Sequence, residues 1–164
     1  MPKVIAYHGS DHNITKFDHF YKEFSNDEHG PGIYFTNNES IAKGYGRNLY
    51  EVEIDLTGFI TEKTKRNDAR LLKIITENLN EYNLSNYDEN PIRAKRLLIE
   101  GVMQPRISYI ECLMNIWSDV FNLKNPKYIR ACLNNNINGI VRKIKPGLTF
   151  YIVYNPENII PWNT

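Results

Sequence analysis

Hydrophobic positions divide the chain into two strand-forming ends and a helical middle. The clearest strand runs from Leu49 to Leu56, where apolar and acidic side chains alternate with a period of two, as on a strand with one buried face. Short runs rich in β-branched and aromatic residues predict further strands at 3–7, 33–36, 140–141 and 149–154. The last two runs are separated by a Lys-Pro-Gly turn, so we expect them to pair as a hairpin.

The middle of the chain, from Asn67 to Asn136, has helical periodicity four times over. Capping residues mark the predicted starts: Asn67 or Asp68, Asn90 with Pro91, Ser108 with Glu111, and Asn125 with Pro126. The polar run at 82–90 predicts a mobile loop. With 164 residues, we expect one α+β domain over 1–164, in which a helical layer at about 67–136 packs on the strands.

Composition narrows the classes of partner. Lys plus Arg is 20 against 19 for Asp plus Glu, so the net charge of +1 gives no electrostatic footprint for nucleic acid, and any such contact would have to be local. No apolar run approaches the roughly 20 residues of a membrane span, and the N-terminus lacks a signal-peptide pattern, so we expect a soluble, cytoplasmic protein. Cys112 and Cys132 lie at apolar helical positions, which predicts buried, reduced thiols.

Histidines and aromatics near the N-terminus have ordinary structural explanations. His12, His19 and His29 match no established ligand spacing, and we therefore expect no metal site. The aromatic residues between them have the spacing of one apolar face and are expected in the core: Phe17, Phe20, Tyr21 and Phe24.

Two segments carry the candidate chemistry. The first is Tyr7-His8-Gly9-Ser10, at the end of the first predicted strand. The second is the run GPGIYFTNNESIAKGYG at 30–46, which predicts a turn, a short strand and a short capped helix. The glycines and proline of its turn allow backbone to pass close to a ligand. Together the segments predict a binding site at the ends of two strands.

The two segments, together with YIVYNPENI at 151–159, resemble the ADP-ribosyltransferase superfamily. The resembling branch has the signature His-Tyr-Glu and includes poly(ADP-ribose) polymerases and diphtheria-toxin-like enzymes. The resemblance covers about residues 1–46 and about the last 25. It implies a split pair of small antiparallel sheets around an NAD cleft, with a helical layer.

The resemblance also implies roles for individual residues. His8 would hydrogen-bond the nicotinamide-side ribose, the Gly9 backbone would anchor the carboxamide, and Tyr34 would stack on the nicotinamide ring above a second aromatic, Tyr45. The implied NAD contacts are Tyr7, His8, Gly9, Ser10, Gly32, Tyr34, Phe35, Thr36 and Tyr45.

The catalytic acid departs from the family pattern. The family's glutamate stands immediately before the equivalent of Tyr151, where this chain has Phe150. Glu157 follows the closing strand and is the first substitute, which makes His8, Tyr34 and Glu157 the implied catalytic set. Glu51 and Glu53 are further candidates, although their alternation also fits a solvated strand face.

The resemblance implies a glycosyltransferase-class enzyme, a mono-ADP-ribosyltransferase that moves ADP-ribose from NAD to a macromolecular acceptor, expected to be a host protein. Small stand-alone enzymes of this kind resemble phage or bacterial effectors. Two alternatives stay open. One is a catalytically silent NAD-binding or inhibitor protein of the same fold, which the missing glutamate favours. The other is an RNA-directed relative such as a 2′-phosphotransferase, which the near-neutral charge disfavours.

Overall fold

Strands and helices of the chain fall into two units, in a computed structural model that describes residues 2–17 and 29–160. The strand unit comprises Met1–Thr61 and Ile137–Thr164, and the helical unit comprises Glu62–Asn136. The predicted helical segment at about 67–136 falls within the helical unit. That the whole chain forms a single domain stays a prediction.

The strand unit is built on a mixed sheet. Its seven strands are β1 Lys3–Ser10, β2 Ile33–Thr36, β3 Asn48–Asp55, β4 Phe59–Ile60, β5 Gly139–Lys145, β6 Leu148–Val153 and β7 Ile159–Ile160. Their order is β4-β5-β6-β2-β1-β3-β7. Every pair is antiparallel except β4 and β5, which are parallel. The α+β class and the β5–β6 hairpin are confirmed.

The sheet is almost divided between β1 and β2. These strands register at one position, Tyr7 opposite Thr36. By contrast, β1 pairs with β3 along its whole length, from Lys3 opposite Asp55 to Ser10 opposite Asn48. The expected pair of split sheets therefore takes the form of one sheet whose two parts, β4-β5-β6-β2 and β1-β3-β7, are joined at a single point.

One face of this sheet packs into the hydrophobic core of the strand unit. Partners opposite one another in antiparallel strands project to the same face, so the register alone separates the two faces. The core face carries Ala6, Ile33, Phe35, Val52, Ile54 and Val153, against which Ile14 and Phe17 pack. Phe17 is thus a core residue, as predicted. The other predicted core aromatics, Phe20, Tyr21 and Phe24, lie outside the described residues.

Helices begin near the predicted caps. The helices are α1 Glu39–Lys43, α2 Arg70–Glu77, α3 Glu81–Ser85, α4 Pro91–Val102, α5 Tyr109–Asn115 and α6 Asn125–Asn134. A π-helical segment, Ile116–Val120, continues α5, and a 3₁₀ turn, Pro156–Asn158, follows β6. Asn38 caps α1 by accepting a hydrogen bond from Ile41 N, whereas Thr36 remains in β2.

The predicted loop at 82–90 is wrong over its first residues, which form α3. Asn80 and Asn83 make a reciprocal capping box at its start. The Asn83 side chain also donates to the backbone carbonyls of Asp119 and Val120. A single asparagine therefore fixes this short helix to the π-helical segment, which local composition does not reveal.

Both cysteines are free and buried, as predicted. Burial raises the pKa of the Cys132 thiol to about 12 because a thiolate would lose its hydration there. Across the described ranges, none of the helices combines the length and apolar character needed to cross a membrane.

Candidate functional site

His8 sits where β1 and β2 part. Its Nδ1 donates a hydrogen bond to the backbone carbonyl of Tyr34, at 2.6 Å. The imidazole is surrounded by aromatic rings, with centroids 5.3 Å from Phe17, 5.4 Å from Phe35 and 6.5 Å from Tyr50. The His8 side chain thus links β1 to β2 where the two backbones no longer pair.

Burial among these rings lowers the pKa of His8, and the hydrogen bond to Tyr34 opposes the shift only in part. The imidazole is therefore neutral at pH 7. Because a carbonyl oxygen can only accept, the proton is on Nδ1 and Nε2 carries a lone pair. The geometry leaves His8 as a hydrogen-bond acceptor through Nε2.

Tyr34 projects from the opposite face of the sheet to His8. Its hydroxyl donates to the carbonyl of Gly30 at 2.6 Å and accepts from the backbone N–H of His29 at 3.1 Å. Its ring lies 6.2 Å from the ring of Phe150. Gly30 has a φ of +83°, a conformation that favours glycine. The turn before β2 therefore fixes the position of the Tyr34 side chain through its hydroxyl group.

Helix α1 is seated directly on Gly9. A Cβ at Gly9 would lie 1.8 Å from the carbonyl oxygen of Ala42 and 3.4 Å from the Cβ of Tyr45. Ala42 is 1% exposed, whereas Tyr45 is 63% exposed. The absence of a side chain at position 9 thus lets the helix bring an exposed aromatic ring to the end of β1.

A row of side chains crosses the face that carries Tyr34. The register aligns Glu51 with Tyr7, Tyr7 with Thr36, Thr36 with Phe150, and Phe150 with Arg142. The Glu51 carboxylate, facing the Tyr7 hydroxyl, raises the pKa of Tyr7. At about 4.8 Å between strands, Glu51 lies about 10 Å from Thr36.

Glu157 lies at the other end of β1. Its neighbour Asn158 donates to the carbonyls of Asp55 and Thr57, and Asp55 is the partner of Lys3 in the register. Lys3 and His8 are five residues apart on an extended strand, which is about 17 Å. The structure therefore does not bring Glu157 together with His8 and Tyr34.

The other residues implied by the resemblance divide between surface and interior. Phe35 is 1% exposed on the core face and Thr36 is 2% exposed, so both serve packing in this structure. Ser10 Oγ accepts from the backbone N–H of His12 at 3.0 Å. Gly32 has a φ of +138°, and a Cβ there would lie 2.5 Å from Ile152 Cγ2.

One residue of the site, Arg142, escapes sequence reasoning. Arg142 enters the row of side chains because the hairpin register sets it opposite Phe150. Counting back from the predicted turn could have found it.

Among the described residues, no group of three or more histidine, cysteine or acidic side chains is placed to hold a metal ion.

Comparison with known proteins adds little. No family model matches the chain, and no curated protein matches it. Among solved structures, the crystal structure of an anti-CRISPR protein matches over 92% of this chain and 90% of that chain, with a TM-score of 0.41 and 11% sequence identity. A likeness of that degree carries no argument about function.

We predict that Gly9→Ala destabilises the protein, because α1 must move to accommodate the new methyl group. The expected loss is about 1–3 kcal/mol in the free energy of unfolding, measured by urea denaturation. Gly101→Ala is the matched control, since its Cβ would have no neighbour closer than 3.9 Å and alanine favours a helix. Equal stability of both variants would contradict the seating of α1 on Gly9.

We also predict a pH dependence from His8. Its folded pKa lies below the ordinary 6.5, so the unfolded state binds more protons in acid. The contribution of neutral His8 to the free energy of unfolding is fully present above about pH 6.5. It is lost as the pH drops toward the folded pKa. His8→Gln should flatten this part of the stability profile.

Proposed function

We propose that this protein is a mono-ADP-ribosyltransferase that uses NAD as its substrate and transfers ADP-ribose to a protein acceptor. One observation carries the proposal. The three segments of the resemblance lie on the neighbouring strands β1, β2 and β6, although the helical unit separates the third segment from the first two in sequence. The hydrogen bond between His8 and Tyr34 lies where the first two of these strands part.

The residues at this point suit a nicotinamide nucleotide. Beyond Tyr7, β1 no longer registers with β2, which fits a backbone edge at Gly9 that binds a carboxamide. Tyr45 offers an exposed ring beside Gly9, which supports stacking on a flat heterocycle. His8 Nε2 would accept a hydrogen bond from a ribose hydroxyl. We propose an ADP-ribosyltransferase-like fold on the same grounds.

The reaction requires an anion near the ribose. The glycosidic bond between the ribose anomeric carbon and the nicotinamide nitrogen breaks, and the bonding electrons leave with nicotinamide. An acceptor nucleophile then forms the new bond to the anomeric carbon and loses its proton. A preorganised carboxylate stabilises the positive charge that develops on the ribose.

We assign this role to Glu51 in place of Glu157. Glu51 shares its face of the sheet with Tyr34 and is aligned with Tyr7, one residue before His8. Glu53 lies two residues farther from His8 and is 3.9 Å from Lys3 Nζ. Glu157 is at the far end of β1. Of the three acids, Glu51 is therefore the one that the register brings nearest to Tyr34 on their shared face of the sheet.

A catalytically silent NAD-binding protein is the second candidate, and Phe150 favours it. Phe150 stands at the position of the family's glutamate. The Phe150 ring lies 6.2 Å from the ring of Tyr34 and 5.9 Å from that of His29. An aromatic wall can bind a nicotinamide ring but cannot stabilise a developing cation as a carboxylate does. Such a protein would act by binding a partner.

The resemblance to small phage or bacterial effectors points to a host protein as acceptor. Two buried free thiols fit action in a reducing cytoplasm. Both features belong equally to the silent candidate, so they do not separate it from the enzyme.

We predict that Tyr34→Ala weakens NAD binding in calorimetry by about 1–3 kcal/mol, the value of one lost aromatic stack on a base. His8→Ala should weaken it as well, through loss of the ribose contact. Ile92→Ala, at an 84% exposed position on α4, is the control. Unchanged affinity in both site variants would refute the site.

We predict that Glu51→Gln lowers the rate of nicotinamide release by about a hundredfold or more while NAD affinity is retained. Glu77→Gln is the control, an exposed acid of the helical unit. A comparable loss in Glu157→Gln or Glu53→Gln, with Glu51→Gln fully active, would move the role to that acid. No nicotinamide release by the unsubstituted protein, with NAD bound and candidate acceptors present, would favour the silent candidate.

A further inference from the structure

The helical unit contains a cavity of about 460 Å³, whose nine lining residues all belong to that unit. This volume lies within the roughly 300–1,000 Å³ typical of small-molecule sites. The proposed NAD site lies in the strand unit and includes none of these residues. The cavity is therefore a candidate for a separate ligand.

The lining has one sign of charge. Lys124 and Lys127 both line the cavity, and no carboxylate is among the lining residues. In the described parts of the chain, neither lysine forms an ion pair with an acid. Lys124 is also the residue before α6, where no side chain caps the helix, so the positive end of the helix dipole lies next to Lys124. These features attract an anion.

The walls of the cavity are held in place by hydrogen bonds. Asn80 and Asn83, both in the lining, form the capping box of α3. The Asn83 amide donates to Val120 O at 2.9 Å. Since Val120 also lines the cavity, one wall is tied to the other. The site is preorganised, which reduces the entropy cost of binding.

The turn before Lys124 has an uncommon backbone conformation. The π-helical segment Ile116–Val120 is followed by two left-handed residues, Asn122 at φ +50° and Leu123 at φ +61°. Asparagine tolerates this conformation but leucine rarely adopts it, and such strain clusters at binding sites. The Leu123 N–H donates to Trp117 O at 3.0 Å and helps to hold the turn. This strained turn places Lys124 at the cavity.

The same cavity has two side chains that suit a flat ring such as a nucleobase. Tyr82 lines it and is 61% exposed, so one face of its ring is accessible for stacking. Asn122 lines it too, and in the described chain its side chain makes no hydrogen bond to protein. An asparagine amide offers both a donor and an acceptor to the edge of a base.

We infer that this cavity binds a nucleoside phosphate, with the phosphate on Lys124 and Lys127 and the base against Tyr82. The two ammonium groups account for the anion, and the exposed ring and the amide account for the base. An inorganic anion would use only the lysines. The ring is therefore what distinguishes a nucleotide from a simple phosphate.

The test is calorimetric titration of AMP into the full-length Tyr34→Ala protein, in which the proposed NAD site is impaired. We expect saturable AMP binding that rising salt weakens. The double change Lys124→Gln with Lys127→Gln should reduce AMP affinity by at least about tenfold. Tyr82→Leu should weaken AMP binding but leave the weaker binding of inorganic phosphate unchanged. Lys95→Gln, at an exposed position on α4, is the matched control.

Three results would overturn the inference: no AMP binding in the millimolar range, AMP binding unaffected by the double lysine change, or phosphate binding as tight as AMP binding. Circular dichroism spectra of the variants exclude misfolding as the cause of a loss. Because the test measures AMP in the Tyr34→Ala background, its failure leaves the proposed NAD chemistry untouched, and failure of that chemistry leaves this test intact.

Discussion

The separation of β1 from β2 is the constraint on which the candidate site depends. Past Tyr7 the two backbones no longer register, and an unsatisfied carbonyl at Tyr34 would be costly in this partly buried setting. The His8 side chain supplies the missing donor. One hydrogen bond therefore fixes the tautomer of the imidazole, orients its second nitrogen and leaves an edge of β1 beside Gly9.

Glycine and helix α1 complete this arrangement from the opposite face. Because α1 sits against the bare Gly9 backbone, the exposed ring of Tyr45 comes to the same strand end that His8 occupies. Tyr34, fixed through its hydroxyl by the preceding turn, stands on the neighbouring strand. The site is thus made by short contacts between consecutive segments, which explains why so much of its sequence signal is compact.

The sequence predicted the features that local patterns encode, such as helix caps and alternating strand faces. It did not predict the features that depend on the register between strands. The alternation at 49–56 correctly gave the buried side chains of Val52 and Ile54, and Asn90 with Pro91 correctly marked the start of α4. The two-residue strands β4 and β7 have no periodicity of their own, since pairing with longer strands defines them. In α2, Leu72 is 45% exposed although it is apolar, because the helix turns Ile74 and not Leu72 toward the interior.

The candidate acid illustrates the same limit. Closeness in sequence to the last long strand favoured Glu157, yet the chain turns through Pro156–Asn158 toward Asp55 and carries that carboxylate away from His8. Glu51 gains its position from pairing across β1 and β3. Composition could not reveal this, because both residues look like ordinary solvated acids in the linear sequence.

The parallel pairing of β4 with β5 has an architectural consequence. The chain leaves the sheet after Ile60 and returns at Gly139, and these strands are adjacent, with Phe59 opposite Gly139 and Ile60 opposite Ile140. Asn138 N–H continues the ladder by donating to Gly58 O. The exit and entry points of the intervening 62–136 segment are therefore neighbours, as at the boundaries of an inserted module. Evolution could lengthen, shorten or exchange that module while the strand order and the strand ends around His8 stay as they are.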